Sequence, residues 1–355
     1  MDSYRYVLSL EANSMRPFSE VFNIIGGLYS DTTIDIFEPL ISFLVSRFTT
    51  NAGVYFAVWT AILGFFYLKS INLLYDKYTK QPGLNSLVLL VFFMFILPLT
   101  SVSGIRMPTA TWIFFYGACQ VVLNKDKRFI ILALSATLVH WSFVTANVVL
   151  LAYVFAGNRD KIYLPIVIAS FFVPHFFAPV FETISMSLGG VIQSRYEGYS
   201  SEGYIMGMQD NAQTASWFVF LSDDLVFYFL LICISLIRLG YQFQPGIQKR
   251  EDANLFSFLL VFLSFVNFGK VIPTFGGRYQ TVFYLFATVY VFLGSVKRKT
   301  GAKINWIILF GLFPMLLYSL MHFRIGSETI SAWLFTPLVG SPLIASGLSL
   351  AEVLF

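Results

Sequence analysis

Residues 101–143 read SVSGIRMPTATWIFFYGACQVVLNKDKRFIILALSATLVHWSF. Met107 to Leu123 is apolar almost throughout, close to the roughly 20 residues that a membrane-crossing helix needs. Lys125, Lys127 and Arg128 then interrupt it, and a second apolar run leads to His140-Trp141-Ser142. The region from Arg128 to Gly157 is about 30 residues, too long for one crossing and short for two. It reads as a short helical hairpin that enters the membrane, turns near His140 and returns to the side it left. Backbone that turns at membrane depth must be shielded by protein or line a wet cavity. Apolar passes around a basic turn define a helical membrane protein.

The rest of the 355 residues agrees. The chain is 57% hydrophobic, 18% aromatic and 12% charged, with a mean hydropathy of +0.73. That charge content is about half the roughly 25% of an ordinary soluble domain. Forty Phe and nineteen Tyr exceed what one soluble core of this size can hide. A soluble enzyme, a nucleic-acid-binding domain and a disordered chain are all excluded. Further candidate spans are Ala52 to Tyr75, Leu84 to Thr100, Ile162 to Phe181, Ser216 to Ile237, Leu255 to Phe268, Tyr279 to Val296 and Ile304 to His322. Ile34 to Phe48 and Ile330 to Leu350 are weaker, and the first, carrying Asp35, Glu38 and Arg47, reads as interfacial or pore-lining. The expectation is one all-α polytopic domain over residues 1–355, a bundle of roughly 10–12 membrane helices counting the hairpin. Residues 182–215 form its one substantial extracytoplasmic loop. Cys119 and Cys233 lie in apolar runs and read as packing residues.

The basic residues sort the loops into two sides. Fifteen of the 23 fall at Lys69, Lys77, Lys80, 125–128, 159–161, 238–250 and 297–303, and that side is read as cytoplasmic. Seven of the remaining eight are Arg: Arg5, Arg16, Arg47, Arg106, Arg195, Arg278 and Arg324, with Lys270 the exception. Topology explains cytoplasmic lysines; it does not explain outer arginines.

Snorkelling to headgroups accounts for Arg16, Arg47 and Arg324. Arg106, between Gly104 and Pro108, and Arg278, after Gly276-Gly277, each read as opening a span. A helix N-terminus favours an anion, and a guanidinium grips phosphate oxygens with two donors. A phosphate-bearing ligand and simple structural caps are both open readings of these two. Arg195, Tyr196 and Tyr199 lie in the outer loop, where polar groups interleaved with rings suit a sugar, or else form an interfacial belt. His140 reads either as a satisfied core residue or as a base for a sugar hydroxyl. Asp31, Asp35 and Glu38 form the acidic cluster nearest an apolar segment. They could bind sugar, act as base or pair with the outer arginines. The sequence has no metal-type Cys/His spacing and no convincing DxD motif.

Residues 101–143 resemble the core of the EpsG family of Wzy-like polysaccharide polymerases. The shared pattern is Gly104-x-Arg106 opening a span, a basic turn, and His140-x-Ser142, with 34 residues from Arg106 to His140. GRYQTVFYLF at 277–286 matches the family's second arginine. DSYRYV at 2–7 and FEPL at 37–40 resemble its Asp-x-Tyr and Glu-Pro-Gly elements, although Leu40 stands where Gly is usual. Family members usually carry one or two apolar helices ahead of the Asp-x-Tyr element, whereas that element here begins at Asp2, which a natural truncation or a late start would equally explain.

The resemblance implies a glycosyltransferase in the bacterial cytoplasmic (inner) membrane, working at its extracytoplasmic face. It would move a growing glycan from undecaprenyl pyrophosphate to the next lipid-linked repeat unit, with no metal or cofactor. Its partners would be the lipid-linked oligosaccharide, membrane lipid and a chain-length regulator protein. Arg106 and Arg278, helped by Arg195, would hold the pyrophosphate, and Tyr196, Tyr199 and Asp35 the sugar. His140 is the preferred base and Glu38 its substitute. A lipid-linked oligosaccharide flippase and a membrane O-acyltransferase of glycans are the rival functions.

Overall fold

Asn51 begins the first long helix. Its side-chain oxygen accepts the Gly53 amide at 2.8 Å and the Val54 amide at 3.3 Å, occupying amides that have no partner inside a helix. In the computed structural model, residues 2–26, 35–80, 83–98, 104–172, 217–243, 250–297 and 302–327 are described, with isolated positions between 179 and 207. Their regular structure is entirely helical: α1 Asp2–Ser14, α2 Val21–Gly26, α3 Phe37–Ser46, α4 Ala52–Tyr78, α5 Leu84–Ile96, α6 Arg106–Asn124, α7 Phe129–Val139, α8 Phe143–Ala156, α9 Asp160–Phe172, α10 Trp217–Phe243, α11 Arg250–Gly269, α12 Pro273–Lys297, α13 Ala302–Phe310 and α14 Leu312–Ser327. A 3₁₀ turn, Phe18–Glu20, leads from α1 into α2.

Among the described residues four stretches are long and apolar enough to cross a membrane unaided: Ala52–Tyr78, Glu251–Gly269, Gly276–Val296 and Trp306–Phe323. The chain is a polytopic helical membrane protein. Burial separates these stretches. In the α11 and α12 segments 78% and 83% of the apolar window is inside the protein, against 28% and 22% for the other two. Helices α11 and α12 therefore form the interior, while α4 and α14 turn apolar faces outward. Phe286 of α12 fixes the centre, with ring centroids 4.8 Å from Phe115 and 5.0 Å from Phe258. Such offset and edge-on pairs add to the gain from area burial.

Several boundaries differ from those read in the sequence. Helix α5 stops at Ile96 rather than Thr100 because Leu97 precedes Pro98 and leaves the helical region, which a following proline disfavours. The span expected from Ile304 to His322 is present as Trp306–Phe323, with a turn at Gly311 between α13 and α14 across which the Gly311 and Met315 amides keep their bonds to the Ile307 and Gly311 carbonyls. Residues 128–157 form two short helices, α7 and α8, which meet at His140-Trp141-Ser142. The expected span Ile330 to Leu350 lies outside the described residues.

Helices α6 and α7 pack closely because Gly117 has no side chain. A Cβ there would lie 2.8 Å from the Ala133 amide nitrogen. Asn147 of α8 ties the hairpin together, donating to the Ala133 carbonyl and the Thr137 hydroxyl, both at 3.0 Å. One end of the bundle gathers the basic loops. Lys77 pairs with Glu251 at 3.2 Å and Arg238 with Asp160 at 3.0 Å, while Lys125 sits 5.4 Å from the Tyr153 ring. The opposite end carries Tyr6, Asp35, Arg106 and the His140 elbow. Cys119 and Cys233 are buried free thiols.

Candidate functional site

Ile105 caps α6, so Arg106 is its first residue and projects from the helix start as the Gly-x-Arg-x-Pro spacing predicts. Its Nη1 pairs with Asp35 Oδ2 at 2.6 Å. Its Nε donates to the Tyr6 hydroxyl at 3.0 Å, and the guanidinium carbon lies 5.6 Å from the Tyr6 ring centroid. The Arg106 side chain keeps 30% exposure and Asp35 keeps 16%, so the pair is sheltered yet reachable. Pairing with an arginine, one of the readings open for Asp35, is present in the Arg106 contact.

The second oxygen of Asp35 accepts the backbone amide of Trp141 at 2.7 Å. That amide opens the turn into α8, where helical donors lack partners. One carboxylate thus joins the start of α6 to the elbow between α7 and α8. His140 ends α7 in an extended conformation. Its Nδ1 lies 2.8 Å from the Ser142 hydroxyl and accepts the Ser142 amide at 3.3 Å. Tyr279, fully buried, donates its hydroxyl to the Ser142 carbonyl and accepts from Thr145 at 2.9 Å. Phe143 stands between them, 6.5 Å from the His140 ring and 6.2 Å from the Tyr279 ring.

Glu38 lies in the first turn of α3 and is 9% exposed. Helix α3, at 10 residues, is about 15 Å long and does not cross a bilayer. Tyr55 donates to Glu38 Oε1 at 3.0 Å. Burial pushes the Glu38 carboxyl above the usual carboxylate range, against the opposing pull of the Tyr55 hydrogen bond and the Arg106 charge. Desolvation wins because taking the ionised form out of water costs more than one bond and one distant charge return.

The structure therefore brings Asp35, Arg106 and His140 together, with Glu38 one turn along from Asp35. Arg278 differs from expectation. Helix α12 begins at Pro273, and the Gly276 amide is already bonded to the Ile272 carbonyl at 3.2 Å, so Arg278 is inside the helix rather than at its start. The glycine pair serves packing instead: a Cβ on Gly276 would meet the Lys270 backbone at 2.7 Å. Arg278 precedes Tyr279, and it is the Tyr279 hydroxyl that bonds the Ser142 carbonyl. Arg47, read as snorkelling, donates to the Arg16 carbonyl at 2.7 Å and to the Asn13 carbonyl, and lies 4.5 Å from the Phe43 ring centroid. It staples α1 to α3. Arg195, Tyr196 and Tyr199 fall outside the described residues. Among the described residues no group of three or more His, Cys, Asp or Glu converges as a metal-ligand set.

Three participants were not singled out from sequence: Tyr6, the Trp141 amide and Tyr279. Tyr6 and Tyr279 each sit beside an arginine, in RY pairs at 5–6 and 278–279, and that adjacency is the signal that marks them.

Fold and site together define a polytopic membrane protein with a charged and imidazole-bearing site at the end of its helical bundle opposite the basic loops. A family model matches residues 2–333, and the chain belongs to the EpsG family. No curated protein and no solved structure matches it.

Proposed function

We propose that this chain polymerises a polysaccharide by transferring a growing glycan from undecaprenyl pyrophosphate to a hydroxyl of the next lipid-linked repeat unit. The observation that carries the reading is the joining of Arg106, Asp35 and the His140 elbow at one end of a membrane-embedded bundle, in a chain of the EpsG family. In the transfer the anomeric carbon–phosphate oxygen bond breaks, the acceptor oxygen takes its place, and the acceptor proton passes to a base. Charge grows on the departing pyrophosphate, and the cationic edge of Arg106 stabilises it, helped by Arg278 and by Arg195 from the outer loop. The arginines would do the electrostatic work that a divalent cation does elsewhere. His140 and Glu38 are the candidate bases, and Tyr196, Tyr199 and Asp35 would contact the sugar.

In this reading the hairpin α7–α8 dips into the membrane from the cytoplasmic side, within roughly 10–12 membrane helices. Residues 182–215 lie outside, and the protein sits in the bacterial cytoplasmic membrane beside a chain-length regulator. The test is incubation of the purified protein with lipid-linked repeat units. Glycans longer than one unit on the lipid support the reading. Units moved across the bilayer without growth, or acylated without growth, would replace it with a flippase or an acyltransferase.

A further inference from the structure

His140 and Glu38 are alternatives for the base, and the hydrogen bonds around His140 separate them. Two groups of Ser142 converge on one ring nitrogen: the hydroxyl at 2.8 Å and the backbone amide at 3.3 Å from Nδ1. A hydroxyl serves as donor or acceptor, but a backbone amide only donates. Nδ1 must therefore present its lone pair, and in the neutral ring the proton sits on Nε2. The two donors also select the ring orientation, because turning the imidazole over would set carbon Cδ2 against the Ser142 amide and hydroxyl and leave both without this acceptor. The motif is the histidine equivalent of an Asx turn, in which a side-chain acceptor closes on the amide at i+2.

Neighbours hold the arrangement in place. The Ser142 carbonyl is fixed by Tyr279, the Trp141 amide by Asp35, and the Phe143 amide returns to the His140 carbonyl at 3.0 Å. The elbow is braced on three sides, and the ring cannot exchange roles without breaking the Ser142 pair. A base acting through Nε2 would need the opposite tautomer.

The geometry points to His140 as a hydrogen-bond donor through Nε2–H to the departing pyrophosphate, with Glu38 taking the acceptor hydroxyl's proton and Ser142 positioning the imidazole. This assignment rests on the polymerase reading for its substrate, though not for its tautomer. In the balanced step the acceptor O–H proton goes to the Glu38 carboxylate, the new glycosidic bond forms at the anomeric carbon, and the carbon–phosphate oxygen bond breaks. The pyrophosphate leaves as an anion bonded to Nε2–H and Arg106, and Glu38 returns its proton to water. Glu38 suits the part because Tyr55 occupies Oε1, and Oε2 remains available for the acceptor.

Nitrogen NMR on the full chain tests this without turnover. The protein is labelled with ¹⁵N-histidine, reconstituted in lipid nanodiscs and observed at pH 8, well above the ordinary histidine pKa of about 6.5. The chain has three histidines, and a His140→Gln sample identifies the His140 signals by subtraction. Unprotonated Nδ1 with protonated Nε2 is expected. Protonated Nδ1, alone or in an imidazolium, overturns the assignment. Ser142→Ala removes one of the two donors and should raise the minor Nδ1–H population; an unchanged spectrum argues against the positioning role. Kinetics supply the second arm. Glutamine keeps an N–H donor, so His140→Gln should retain polymerisation within about tenfold, while Glu38→Gln loses the ~10²–10⁴-fold typical of a general base. The reverse pattern returns the base to His140. A wild-type protein that elongates no glycan overturns the polymerase reading instead and leaves the tautomer measurement standing.

Discussion

Arg106 spends Nη1 on Asp35 and Nε on Tyr6, a division of labour that only a guanidinium can manage while still offering Nη2 to a ligand. A lysine at this position would keep the charge and lose the fork. Arg106→Lys should lower turnover about ten- to a hundredfold in a folded protein, the equivalent of a charge-assisted bond of roughly 1.5–3 kcal/mol. Arg324→Lys, at a position read as snorkelling, should be mild, and equal tolerance at both positions would remove Arg106 from the chemistry. Asp35 does two things, and substitutions separate them. Asp35→Asn keeps an acceptor for the Trp141 amide and loses the ion pair, so activity should fall while thermal stability holds. Asp35→Ala also uncaps the elbow, which should cost a further ~1 kcal/mol or so, as loss of a helix cap does, measured by denaturant unfolding in detergent. Glu38 adds a pH signature. A base must be ionised, and burial raises this carboxyl, so activity should appear as pH rises through a midpoint above the usual carboxylate range. Glu38→Gln should abolish that limb, and a limb unchanged in the variant would belong to another group. At this scale the sequence was partly legible. Arg106 and His140 stood out because polar groups in apolar runs are conspicuous. Tyr6 was hidden among nineteen tyrosines, and the Trp141 amide, being backbone, carries no side-chain signature.

Helix existence was easier to read than helix ends. Apolar runs announced α4, α6, α11 and α12, whereas the boundaries follow local chemistry that hydropathy does not register: Pro98 shortens α5, and Pro273, a residue favoured in the first turn, starts α12 ahead of Arg278. The pairing of α6 with α7 was not legible, because it depends on Gly117 meeting the Ala133 backbone across the contact, and one glycine among twenty-four does not declare its partner. Gly117→Ala should push the two helices apart at a cost of about 1–3 kcal/mol, as overpacking generally does. Because α7 leads directly into His140, the same variant should also lower activity. Unfolding in a detergent titration reads the first effect, and an unchanged midpoint would contradict the close packing.

At the scale of the whole molecule the charges separate by end. The basic loops around Lys77, Lys125 to Arg128, 158–161 and Arg238 meet at one end, and the Arg106 site lies at the other. The sorting of lysines in the sequence anticipated this division, since the side-determining charges sit in loops whatever the helix packing. Cysteine labelling checks which end faces outward: a cysteine replacing Asn158 should react from the cytoplasm, and Ser200→Cys from outside. Labelling of Ser200→Cys only from the cytoplasm would invert the molecule and separate the site from an external substrate. The central claim is that pyrophosphate departs as each glycosidic bond forms, and counting both products in one reaction tests it most directly. Purified protein in vesicles containing lipid-linked repeat units should release one polyprenyl pyrophosphate for every unit added to a chain, with both falling together in Arg106→Lys. Chain growth without released polyprenyl pyrophosphate, or relocation of units without chain growth, would contradict the account.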